Sequence, residues 1–233
     1  MAGAAGAGRD GAGPGQRRPR AARAGQGPGM RWRAASMAAG LAVVLATALV
    51  PPSSAAPDHV LTLHMVELVA LMYAAGPLIA AAAPLRPGRW GVRSMSVAFA
   101  AFVLAQAAAH LPGVVRVVQH GGWAHGIVQA VLLGAAVGFW SAVVSWPAER
   151  SPLTPILYLV AAMPAGDALS IWLMTTSLPA YSGVPRSDQR AAAAAMLCGS
   201  IVLALAAVVV GWRAIHHEHA AVLAREHAEP RHA

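Results

Sequence analysis

The chain has 233 residues, of which 57% are hydrophobic and only 11% charged, against roughly a quarter charged in ordinary soluble domains. That balance excludes a water-soluble globular protein and points to one built into a membrane. A formal net charge of +8 raises nucleic-acid binding as a class, yet the charge has a simpler cause. Arg9, Arg17, Arg18, Arg20, Arg23, Arg31 and Arg33 all precede the first apolar run, in a Gly/Pro/Ala-rich stretch without periodicity. Residues 1–33 are therefore expected to form a disordered cytoplasmic segment whose arginines touch anionic lipid headgroups, with no nucleic-acid partner. The single cysteine, Cys198, excludes a disulfide framework and a cysteine-based zinc site within one chain.

A membrane-spanning helix needs about 20 mostly apolar residues. Six stretches meet or approach this, at roughly 34–52, 60–83, 95–112, 122–146, 153–178 and 190–212, with Pro and Gly clusters at the breaks. All connections are short, so the expected fold is all-α, one polytopic transmembrane bundle over 34–212 with both termini cytoplasmic, followed by a His-rich cytoplasmic tail over 213–233. The first stretch has a competing reading as a signal peptide, with Ser54-Ala55-Ala56 as a small-residue cleavage site. Its length and the spans after it favour retention as an anchor. Fourteen of the 17 arginines fall on the N-terminal side of the membrane, and only Arg116, Arg186 and Arg190 lie in the opposite loops. The positive-inside rule then orients the bundle.

Orientation turns scattered histidines into a cluster. His59 and His64 fall at the outer start of the second span, His110 at the outer end of the third, and His120 and His125 at the outer start of the fourth. Imidazole is the commonest protein metal ligand, and thioether sulfur favours Cu(I). His64, His110 and His125, one from each of three helices, could hold a metal together. Met65 adjoins them in sequence, and Glu67, three residues after His64, shares its helical face and could orient the ring. Any single interfacial histidine could equally be solvated or bonded to a backbone carbonyl.

Two carboxylates lie deeper, Glu67 about one turn into the second span and Asp167 near the middle of the fifth. Charge in a membrane interior is costly, so such groups face the bundle interior. Asp188 and Gln189 open the last span and are expected to form a structural or gating element beside the histidines, although an aspartate also suits the N-terminus of its own helix. His216, His217 and His219 in the tail could bind a divalent ion, although a solvated histidine-rich tail accounts for them as well. No phosphate-binding glycine loop, zincin motif or nucleophile elbow is present, and an enzyme is not expected.

Several segments resemble, in order and spacing, the multi-span CtaG family of cytochrome c oxidase assembly factors from Gram-positive and related bacteria. They are His64-Met65-Val66 running into Gly76-Pro77-Leu78 with Pro84 beyond; His110-Leu111-Pro112; His125 opening a helix that ends Gly138-Phe139-Trp140; and Ser187-Asp188-Gln189. The resemblance covers about residues 58–213. It implies a plasma-membrane protein that helps mature the oxidase, works with oxidase subunits, and delivers or stabilises copper on the outer side through His64, His110 and His125. Leu68, Ala109 and Gln129 depart from the family pattern, which usually has His, Trp and His there. Two other classes remain open from the residues alone. One is a haem-binding membrane cytochrome using two of the histidines, and the other a small transporter with Asp167 and Glu67 as a proton or cation relay.

Overall fold

The computed structural model describes residues 28–50, 59–85, 90–120, 122–147, 150–177 and 179–228. Regular structure among them is helical throughout, in seven helices: α1 (Pro28–Leu49), α2 (Val60–Ala82), α3 (Val92–Ala109), α4 (Pro112–Gln119), α5 (Trp123–Val144), α6 (Leu153–Thr175) and α7 (Arg186–Ala228). All but α4 are long and apolar enough to cross a membrane. The chain is thus a multi-pass helical bundle with six candidate spans.

The helices outrun the expected limits at both ends. α1 begins at Pro28, where a proline suits the first helical position, so Arg31 and Arg33 ride on the helix. α7 runs on to Ala228 because no Gly or Pro interrupts its Ala-, Leu-, Arg- and Glu-containing continuation. The histidine-bearing segment after Arg213 is therefore largely helix. Residues 1–27, 229–233 and the Ser54-Ala55-Ala56 stretch lie outside the described residues. α4 was not anticipated. It starts on Pro112, and Val115 and Val118 are its buried face at the outer end of the bundle.

α2 is the central helix, packed against α7 along its first half and against α1 and α5 along its second. Close crossings rest on small residues, as in membrane bundles generally. A Cβ on Gly76 would lie 2.8 Å from the Ala136 methyl, and one on Gly40 would lie 2.7 Å from Ile79 Cγ1. Phe102, Phe139 and Tyr158 stack in succession, with ring centroids 4.1 and 4.5 Å apart, and tie α3, α5 and α6 together.

Within α2, Ala70–Ala75 is a π-helical turn, and Gly76-Pro77 accounts for it. The Gly76 amide bonds back to Leu71 O, and Pro77 has no N–H to offer. The Met72 carbonyl thus loses both of its intrahelical donors. Trp140 Nε1 on α5 supplies the missing bond at 2.8 Å, as a buried backbone acceptor in a membrane requires. The Gly76-Pro77 and Phe139-Trp140 segments are one structural unit.

Reporter fusions check the orientation. Fusions after Pro57, Gly121 and Gly183 are expected to report the outside, and those after Gly88 and Ala148 the cytoplasm. An outside signal after Gly88 would overturn the six-span arrangement, and processing at Ala56 would leave five spans.

Candidate functional site

At the end of the bundle that the arginine count places outside, α2, α3 and α5 bring His64, Glu67, His110 and His125 into its interior, each no more than 6% exposed. His64 and Glu67 share a face of α2, with His64 Nδ1 3.8 Å from Glu67 Oε2. From the first turn of α5, His125 places Nε2 2.9 Å from Glu67 Oε1, at ion-pair distance but without hydrogen-bond alignment. One turn further along α5, Gln129 Nε2 donates to the same Glu67 oxygen. Glu67 is the hub on which two helices meet.

His110 caps the C-terminus of α3. Its Nδ1 lies 2.6 Å from Gln106 O, a backbone carbonyl that only accepts, so Nδ1 carries the proton and Nε2 is left with a lone pair. The Tyr181 hydroxyl donates to His110 O at 3.0 Å and fixes this corner. Burial pushes the Tyr181 phenol above its ordinary range, so it remains a donor at physiological pH.

The ring nitrogens of this cluster are unusual. His64 Nδ1 and Nε2, His110 Nε2, and His125 Nδ1 and Nε2 are all buried without a hydrogen-bond partner. A buried polar atom left unpaired costs about 1–3 kcal/mol, and five such atoms lie on the three helices at this end of the bundle. Among the described residues, no three His, Cys, Asp or Glu side chains form an assembled metal centre.

The other sequence candidates are placed elsewhere. Met65 is fully buried, but in an apolar cluster with Leu61, Val115, Leu173 and Tyr181. As the residue next to His64 it points off to another side of the helix. Asp167 is hydrogen-bonded to Ser200 across α6 and α7, in a separate polar layer near Gln106 and Tyr73, which pair at 3.3 Å. His120 is exposed and bonds Arg116 O; Trp212 packs edge-on against His216 at the far end of the molecule.

Asp188 does not cap its own helix. It lies in the first turn of α7, 1% exposed, and its carboxylate accepts the Leu61 and Thr62 amides of α2, each at 2.9 Å. The Thr62 hydroxyl also bonds it. This cap from another helix satisfies first-turn amides of α2, while Gln189 Oε1 accepts the Ala180 amide and holds the loop before α7. Asp188 thus fixes the start of α2, and with it the helix that carries His64 and Glu67, while Gln189 is bonded within the loop that precedes α7. Gln129 is the site residue that sequence reasoning passed over as a lost ligand. Its position four residues after His125 puts the two side chains on one face.

A family model for the cytochrome c oxidase caa3 assembly factor matches residues 15–217. The chain belongs to that family. No curated protein and no solved structure matches it. As a caa3 assembly factor it acts in building the oxidase, and the matched region takes in the first five candidate spans, most of the sixth, and His64, His110 and His125.

Proposed function

We propose that this assembly factor handles copper for the oxidase at the outer end of its bundle, with His64, His110 and His125 as the ligands and Glu67 as the group that orients and neutralises them. The observation that supports this reading is the set of buried, unpaired imidazole nitrogens, with two of the rings, His64 and His125, beside one buried carboxylate. The donor set fits the ion. Imidazole suits copper, a ligating histidine commonly fixes its other nitrogen on a backbone carbonyl as His110 does on Gln106, and one carboxylate offsets the charge of Cu(I) within an apolar bundle. Bound copper would be held ready for transfer to the oxidase. The chain's own part is to hold the rings buried and prepositioned. Leu68 lies buried in the apolar core, and Gln129 is engaged with Glu67. The site thus has fewer nitrogen donors than the family pattern offers, which favours a low-coordinate ion.

Cu(I) titration of the purified protein against a competing chelator tests the proposal. Each of His64→Ala, His110→Ala and His125→Ala is expected to weaken binding by more than about 100-fold. Glu67→Gln, which removes a group acting through the ligands, is expected to weaken it by about 10–100-fold. Replacing His216, His217 and His219 together should leave the affinity unchanged. Native-like affinity in the His125→Ala protein would refute the assignment.

A further inference from the structure

At the opposite end of the bundle, the end that the arginine count places in the cytoplasm, α2, α5, α6 and α7 enclose a cavity of about 710 Å3. We propose that it is a binding site for one anionic phospholipid, with an acyl chain along its inner wall and the phosphate at its mouth.

The cavity changes character along its length as a phospholipid does. Its apolar lining comes from Trp140 and Val143 of α5 and Val209 and Val210 of α7, and its charged and polar lining from Arg150, Arg213, His217 and Glu218, nearer the ends of these helices. On α7 the change takes place within one helical face, since Ala206, Val210, Arg213 and His217 recur at three- and four-residue spacing. Apolar depth thus gives way to basic charge where the hydrocarbon layer should end.

Three features of the mouth select an anion. Arg150 is held in place, its Nη1 donating to Trp90 O at 2.8 Å and its guanidinium 5.4 Å from the Trp146 ring centroid. Arg213 adds a second positive charge from α7. The N-terminus of the 23-residue α6 opens here too, with Pro152 and Pro155 lining the cavity and no acidic residue in its first turn, although Ser151 Oγ already accepts the Leu153 amide at 3.3 Å. The positive end of its dipole favours a phosphate. Glu218 opposes these charges, but the two arginines and the helix end outweigh it. Basic pockets between spans on the cytoplasmic side are where anionic headgroups bind.

The full-length protein, reconstituted in phosphatidylcholine bilayers containing phosphatidylglycerol and then analysed by native mass spectrometry, is the test. One phosphatidylglycerol per chain is expected to stay bound in preference to phosphatidylcholine. Arg213→Gln should reduce that retention about fivefold, the effect of one arginine near an anionic surface, and R150Q/R213Q more. Val209→Trp, at an exposed wall position, should block the acyl chain without changing charge. R116Q/R190Q, removing the same charge at the opposite end of the bundle, should leave retention intact. Three results would overturn the proposal: retention in Val209→Trp equal to native, an equal loss in R116Q/R190Q, or a dimer abolished by Val209→Trp with no bound lipid.

Discussion

Cells whose only copy of this factor carries His64→Ala, His110→Ala and His125→Ala together are expected to lose nearly all activity of the oxidase it serves, while the factor itself accumulates at close to its normal level. The two halves of that expectation have separate causes. Five ring nitrogens in the cluster have no hydrogen-bond partner within the protein, so removing the rings breaks few internal bonds, and the loss of unpaired buried polar atoms offsets much of the lost packing. A metal held by three ligands, in contrast, has nothing to replace them. Oxidase activity, copper content of its subunits and immunoblotting of the factor check the result. Intact oxidase in the triple variant would reduce the histidines to polar residues at an interface.

Asp188→Ala is expected to act in the opposite way, lowering stability throughout and function only as a consequence. The side chain is 1% exposed and receives two backbone amides and a hydroxyl from α2. Truncation leaves those donors buried and unpaired. Loss of a helix cap costs about 0.5–2 kcal/mol and each stranded buried donor about 1–3 kcal/mol, so a loss of about 2–4 kcal/mol is expected. Asp188→Asn keeps one acceptor oxygen and should recover part of it. Thermal unfolding in detergent and steady-state abundance measure both. Normal stability with lost copper binding would instead make Asp188 a member of the site.

These two cases also show what a sequence can reveal of such a molecule. Spans were legible because about 20 consecutive apolar residues have few alternatives, and the histidine cluster because arginine asymmetry places loop-proximal residues on one side of the membrane. For Asp188 the sequence offered either an element beside the histidines or a local cap. Its actual partners lie 126 and 127 residues away, a pairing that no short-range pattern encodes. The π-helical turn was hidden for a related reason: Gly76-Pro77 signals a disturbed helix, but only the Trp140 bond to Met72 O shows how it is resolved. Gln129 was seen as the absence of a histidine, whereas its bond to Glu67 makes it a structural partner of the hub. α4 escaped notice because a short helix with only two buried valines carries little periodic signal.

The relay reading of Asp167 and Glu67 now has to contend with their placement. Glu67 is engaged with His125 and Gln129 at the outer end, and Asp167 with Ser200 in a different layer. Asp167→Asn is accordingly expected to leave Cu(I) affinity within about twofold of native, since it touches none of the proposed ligands.

The most direct test of the copper assignment is X-ray absorption at the copper edge on protein loaded with one equivalent of Cu(I), measured in parallel with total metal content. One copper per chain with a first shell of two or three imidazole nitrogens, lost in His64→Ala and His125→Ala, is the predicted result. Loading well below one equivalent, or a first shell unchanged when those histidines are replaced, would contradict it.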